Sequence, residues 1–417
     1  MYLGYVRKKI FSKIHSTENQ AVYCSEPGHF SRNSPLSFQT VVLTVLHLFK
    51  ESVEFVSRNV LVSLDRAAVT GSAFTQARYK IDWRFFYDLC AICSTAYDRF
   101  STPTWKGYRV LAGDGSTLNL PSSKQIRSYF GVEASSVNTS LARIFLIYDV
   151  ITGFTLQARL GRTNTGEAGM LEDCLRDMHS RAGDLLVLDR NFGYYTTVHQ
   201  LAAADWDFCI RMSTGMSAFA KTAMADGRMD FVTEWLPSRS EGATARAKAP
   251  VRVRVTKAIL ETGETELLVS SLLDMEAVSS ADMAELYAMR WGVEEGIKNL
   301  KPKMKVEQFG CRRPEGIYQE FYAHILAMNM VALAGMAAQK VIKKKTARRK
   351  LNYSYNWKNA FRYLRDITVG LFSQECAEKL LEKLVGNIIS SVIAIRKGRK
   401  FSRQALGKAT RINQYYK

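Results

Sequence analysis

Between about Leu36 and Arg99 apolar residues recur at helical spacing, in "LSFQTVVLTVLHLFKESVEFV" and again in "AFTQARYKIDWRFFYDLCAI", and predict an N-terminal helical domain. The period then changes. Short apolar or alternating runs, "YRVLAGD", "ARIFLIYDVITG", "FTLQARLG", "DLLVLDRNFG" and "WDFCIRMS", read as strands, with a helical "TGEAGMLEDCLRDMHS" before the fourth. Strands joined by "ITG" predict a meander, and the later strand–helix alternation predicts parallel additions to the same sheet, giving a mixed α/β core. Residues 213–280 carry the polar "LPSRSEGATARAKAP" and then the alternating "VRVRVTKAIL" and "TELLVSSLLD", a β-rich insertion.

The stretch "LYAMRWGVEEGIKNLKPKM" predicts one half-buried helix. Leu286, Met289, Val293, Ile297 and Leu300 form its apolar side, and Pro302 ends the pattern. Tyr287, Arg290, Glu294, Lys298 and Lys301 share an arc of roughly 80° spread over about 21 Å of helix axis. Such a stripe is either a solvated face, with Glu294 paired to Lys298, or a functional one. An apolar run from Phe321 to Ala338 follows, and then a strongly basic end with "KVIKKKTARRK", "NWKNAFRYLRDITVGLF" and a tail from Lys397.

Charge adds a constraint that the pattern alone does not supply. The 417 residues include 58 Lys and Arg against 39 Asp and Glu, a formal +19, which points to a polyanion, nucleic acid first. The basic N-terminus lacks the apolar run of a signal peptide, so a cytoplasmic location is expected. Phe321 to Ala338 approaches membrane-spanning length but contains His324 and Asn329, so a buried core helix and no membrane partner are expected. The seven cysteines are scattered, with Cys90 and Cys93 the one close pair, and read as core thiols. No histidine set has metal-ligand spacing, no phosphate-binding Gly-Lys loop occurs, and no Ser or Cys has a nucleophile context.

Asp114 follows the apolar "YRVLAG", and Asp189 closes "LLVL", so both are expected at strand ends. A single Asp there is a turn-former or a helix cap. Two of them with Glu294 make an oxygen-rich set suited to Mg²⁺ or Mn²⁺. A pair of such ions about 3.5–4 Å apart serves in-line phosphoryl transfer. Arg290, Lys298 and Lys301 would then present donors to phosphates.

The series Tyr287, Arg290, Glu294 and Lys301, with Trp291 after the arginine and Lys298 before the last lysine, resembles the signature of bacterial DDE transposases of the insertion-sequence-four family. It stands at the required distance from "DGSTL" and "DRNFGYY", and the resemblance runs from about residue 36 to 415, including "AFTQARYKI". The resemblance implies a ribonuclease-H-like core with the first Asp on the first strand and the second at the end of the fourth. It also implies a β-rich insertion before the glutamate helix, which accommodates the separation of 105 positions from Asp189 to Glu294. The implied metal ligands and catalytic acids are Asp114, Asp189 and Glu294, holding two Mg²⁺ or Mn²⁺ ions. The implied DNA contacts are Tyr287, Arg290 and Lys301, with Lys298 and Arg190 as further phosphate contacts. Some relatives stack a flipped base on a Trp of the insertion; Trp235 stands in that segment here and is not assigned the role.

The expected division is a helical DNA-binding or accessory domain over 1–105, a first core part over 106–212, the insertion over 213–280, the glutamate helix and its successor over 281–340, and a basic helical region over 341–417. The expected activity is cleavage at the terminal inverted repeats of an insertion sequence and strand transfer into target DNA by a synaptic homodimer. A nuclease of the same fold without strand transfer, and a non-catalytic DNA-binding descendant, are the alternatives.

Overall fold

The computed structural model describes residues 2–133, 136–213, 215, 217–237, 249–259 and 264–396. Among them nine strands join in one sheet: β1 (Arg109–Leu120), β2 (Val132–Glu133), β3 (Ser136–Asp149), β4 (Thr155–Arg162), β5 (Asp184–Leu188), β6 (Asp207–Met212), β7 (Asp230–Trp235), β8 (Val251–Ile259) and β9 (Thr265–Ser270). Their order is β2-β3-β1-β5-β6-β9-β8-β7, with β4 on the same edge of β3 as β2. β1, β3 and β4 form the antiparallel meander expected around "ITG". β5 and β6 add parallel to β1, as strand–helix alternation requires. The strands of the 213–280 segment extend this same sheet antiparallel beyond β6.

β5 is buried along its whole length because both its faces are covered. Leu185 and Val187 pack with Val110, Cys209, Leu268 and the helix Ser280–Met289 on one face. Leu186 and Leu188 join the larger core on the other face, built on the long helix Pro314–Thr346. That core also takes in the N-terminal helices, which include Phe38–Leu46, Gly71–Arg78 and Arg84–Tyr97, and the C-terminal helices Trp357–Ser373 and Glu378–Ser390. Cys90 and Cys93 lie buried in it as free thiols, pushed up by burial, in line with their reading as core residues. A helix over Tyr2–His15 escaped the sequence pattern: Leu3, Val6, Ile10 and Ile14 are buried at helical spacing, but basic residues between them mask the stripe.

The apolar run from Phe321 lies inside the long helix, the one described helix long and apolar enough to cross a membrane, and its window is 67% buried within the protein. Its polar residues are used as ties. Asn329 accepts from the Thr155 amide and donates to the Thr155 carbonyl, both at 2.8 Å, so one side chain joins the helix to β4. Glu320 receives Arg78 at 2.8 Å and the Gly310 amide at 2.9 Å, and Gln319 accepts from Arg78 Nε at 3.0 Å. Both members of the Arg78–Glu320 pair are fully buried.

Removing one partner of such a pair strands a charge in the core. Arg78→Met is therefore expected to lower stability by about 3–5 kcal/mol, measured by urea unfolding, and Arg78→Met with Glu320→Gln to recover part of that loss. A loss within about 0.5 kcal/mol for the single variant, the range of an ordinary surface change, would show that the pair does not carry the junction.

Candidate active site

The parallel pairing of β1 with β5 runs from Arg109 opposite Asp184 to Ala112 opposite Val187. Two residues further along each chain come Asp114 and Asp189, so the register that pairs the strands also brings the two acids level. β5 ends at Leu188, whereas β1 continues to Leu120. Asp114 is thus not at a strand end, as the sequence led us to expect; it lies mid-strand, where β1 outruns its parallel neighbour. Gly113 permits the close approach, since a Cβ there would stand 2.8 Å from Leu188 Cδ2. Asp189 opens the short turn Arg190–Phe192 and accepts from the Asn191 amide at 2.9 Å, so it acts as a cap as well. Arg190 is exposed on that turn. At the far end of the pair Arg109 grips Asp184 with two bonds of 2.7 and 2.6 Å, both residues buried, which locks the register.

The single helix expected from Leu286 to Leu300 is divided. Helix Ser280–Met289 starts at a capping box of Ser279 and Asp282, helix Trp291–Lys298 follows after Arg290, and Asn299–Lys303 forms a π turn containing Pro302. The polar stripe divides as well. Tyr287 and Arg290 are buried, at 5% and 6% exposure. Arg290 Nη1 stands 4.0 Å from Asp114 Oδ2 and Nη2 stands 3.4 Å from Glu294 Oε1, so one guanidinium joins a sheet acid to the helix acid. The Glu294–Lys298 pair of the solvated reading does not form. Lys298 is exposed and pairs with Glu295 at 2.7 Å. Lys301 is carried onto β1 by the π turn, where it donates to the Thr117 carbonyl at 2.6 Å and lies 3.5 Å from Glu307.

Two glycines set the height of the glutamate helix. A Cβ on Gly292 would stand 2.8 Å from Val150 Cβ, and one on Gly296 would stand 2.9 Å from Tyr148 Cε2. Spaced four apart, they form a flat face that lies on the end of β3 and brings Glu294 down to the sheet.

Burial pushes the Asp114 carboxyl up to about 6; Asp189 and Glu167 add to the effect, and the Gly115 amide and Arg290 oppose it. Glu167 is the acid that sequence reasoning missed. It begins helix Glu167–Arg176, is held by Arg143 at 3.0 Å, and lies so close to β1 that a Cβ on Gly115 would be 2.3 Å from its Oε1. The signal was the glycine in "DGS", which no strand propensity explains. Asp114, Asp189, Glu294 and Glu167 offer only oxygen donors, and a half-buried carboxyl held near other acids is the environment a hard cation relieves. The donor set therefore fits a divalent ion. Among the described residues no three acids already stand around a common point, and Arg290 bridges two of them instead. Trp235 is buried against Phe219 with ring centres 4.3 Å apart, a core residue.

The sequence profile of the family described as "Transposase DDE domain" matches residues 105–330, more than half of the chain. The chain belongs to this DDE transposase family. The match spans both Asp-bearing strands, the segment that extends the sheet, and the helix of Glu294. The chain is also similar to "Transposase InsG for insertion sequence element IS4" of Escherichia coli strain K12, 22% identical over 294 residues. That alignment covers 66% of this chain and 63% of the relative, so it spans less than two thirds of the relative's length. Among solved structures, the "piggyBac transposase synaptic complex with hairpin DNA" aligns at a TM-score of 0.49 and 10% identity, over 92% of this chain and 85% of that one.

Two outcomes follow from the geometry of this candidate site. Gly296→Ala must push the helix off Tyr148, and we expect it to cost about 1–3 kcal/mol of stability. Unchanged thermal stability would show that the helix height is not set there. The second concerns Asp114. Its folded carboxyl holds a proton more tightly than the ordinary Asp value of 3.8, so the folded state binds more protons between about pH 4 and 6. Stability accordingly falls as pH rises through that window. In chelator, Asp114→Asn should melt higher than the parent at pH 7.5, by up to about 3 kcal/mol of stability, and show no such advantage at pH 3.5. A lower melting temperature at pH 7.5 would contradict the assignment of strain to this carboxylate.

Proposed function

We propose that this chain is a DNA transposase that cuts at the ends of its own insertion sequence and joins the freed 3′-hydroxyl to target DNA. The observation that carries the reading is the meeting of three elements: Asp114 on β1 level with Asp189 just past the end of parallel β5, and Glu294 tied to Asp114 through Arg290. The strand order β4-β3-β1-β5-β6, antiparallel up to β1 and parallel after it, supports a ribonuclease-H-like core, in which β5 is the fourth long strand.

In this reading Asp114, Asp189 and Glu294 hold two Mg²⁺ or Mn²⁺ ions. The ions, when bound, activate the attacking oxygen and neutralise the leaving one. Arg290 exchanges its carboxylate partners for phosphate oxygens, which its planar fork can grip two at a time. Tyr287, buried beneath Arg290 with its ring 5.7 Å from the guanidinium, keeps that side chain in place. Lys301 neutralises a phosphate lying along β1, and the exposed Lys298 and Arg190 meet the backbone on either side. The chain supplies position and charge and no covalent nucleophile. Two chains acting as a dimer hold the two element ends, and the chain works on chromosomal DNA in the cytoplasm.

The test is single-turnover cleavage and strand transfer with Mg²⁺ on a duplex bearing the element's end. Asp114→Ala, Asp189→Ala and Glu294→Gln are each expected to abolish cleavage while DNA binding stays within about threefold, because affinity comes mainly from Lys and Arg contacts to phosphates. Glu295→Gln, whose side chain points to Lys298 and solvent, should cut normally. A dead Glu295→Gln beside an active Glu294→Gln would place the site on the wrong face of the helix. Cleavage without joining of a pre-cut 3′ end would favour a nuclease of the same fold.

A further inference from the structure

The segment "AFTQARYKI" has no part in the catalytic arrangement, yet its side chains divide cleanly. Phe74, Ala77 and Arg78 face the core, while Thr75, Gln76 and Tyr79 line an open cleft of about 560 Å³. The facing wall consists of Arg312 and Arg313, with Gln125 from the helix Lys124–Phe130 beside them. Both arginines are exposed. Arg313 lies over the Tyr79 ring at 4.8 Å, and among the described residues neither guanidinium has a carboxylate partner. No Asp or Glu lines the cleft. Val53, Gly71 and Ser72 complete the lining, and two guanidiniums without carboxylate partners beside neutral amides and hydroxyls match phosphate and sugar oxygens and would poorly suit a cationic ligand.

The cleft is also joined to the catalytic strand. Lys301 donates to the Thr117 carbonyl, Asn119 donates twice to Glu307 at 3.0 Å, and Ser123 Oγ donates to the Arg312 carbonyl at 2.8 Å. Residues 301–312 are thus pinned along the second half of β1 and into the cleft. From Asp114 to Leu120 that strand covers about 20 Å, the length of roughly six base-pair steps.

We propose that this cleft is a second contact for the sugar-phosphate backbone of the same duplex, gripping it about half a helical turn or more from the phosphate at the acids. The inference rests on the DNA-cleaving function proposed above. It gives the Thr75, Gln76 and Tyr79 face a role separate from catalysis: the cleft fixes where the duplex lies, and the acids act on what is placed there.

The experiment measures binding of the full chain to a 30-base-pair duplex by fluorescence anisotropy, in chelator, over a series of salt concentrations. Arg312→Gln with Arg313→Gln should weaken binding roughly 10- to 30-fold near 0.15 M salt and reduce the log–log salt slope by about two. Gln125→Glu, an exposed change that removes no structural contact, should weaken binding as well. Arg176→Gln with Lys221→Gln, which removes equal charge from exposed sites elsewhere, should leave the slope unchanged. Parent-like affinity and slope in both cleft variants would overturn the cleft while leaving the DNA reading intact. An equal loss in the control pair would also overturn it, by reducing the effect to net charge. If the parent chain binds no duplex at all, the function itself falls, and the cleft with it.

Discussion

The pairing of β1 with β5 is the constraint from which the site is built. A parallel pair has no tight turn to fix its register, so alignment must come from side chains. Here the buried, two-bonded contact of Arg109 with Asp184 sets it at one end, and the glycine at position 113, tight against Leu188, admits it near the other. A slip by one residue would turn the Leu185 and Val187 face toward the wrong core and would part Asp114 from Asp189 in the same movement. Fold and site therefore share one alignment, and the energy that holds the core also positions the acids.

The third acid depends on packing of a different kind. Glu294 is not on the sheet and reaches it because its helix presents glycines instead of side chains to Val150 and Tyr148. The helix is then oriented from both ends: Arg290 faces back to Asp114 on one side of Glu294, and the π turn swings Lys301 onto Thr117 on the other. The long helix behind the sheet is tied in turn by Asn329 to β4 and by Gln319 and Glu320 to Arg78. Polar residues inside an apolar run here select one docking position among the many that greasy surfaces would allow.

Period and breaker residues made the strands, most core helices and the place of Asp189 after a strand legible, because burial imposes a periodicity that shows wherever charged residues do not mask it. That Glu294 and Glu295 face different ways was legible too, since they differ by about 100° around a helix; the structure turns one toward Arg290 and the other toward Lys298. The break at Arg290 and the π turn were not, because they answer to contacts with β1 that lie far away in sequence. For the same reason the stripe looked like one solvated or phosphate-facing surface, whereas Tyr287 and Arg290 are buried. Glu167 was hidden because its significance comes from Gly115 on β1, an element far from its own helix in sequence. The basic tail from Lys397, expected to touch DNA, lies outside the described residues.

The charge of the chain and the charge of the site have opposite signs, and the contrast has a mechanistic consequence. A formal +19 draws a polyanion from a distance, but Asp114, Asp189, Glu294 and Glu167 would repel the phosphate that must approach most closely. Arg290 is the local resolution of that conflict, a cation buried between a sheet acid and the helix acid. On the reading proposed above, divalent charge held by the carboxylates would free the Arg290 donors, now turned to Asp114 and Glu294, for phosphate. The same side chain ties the two acids together and, on that reading, would orient the phosphate once they are neutralised. A lysine would carry the charge but not the two-ended geometry that makes the exchange possible.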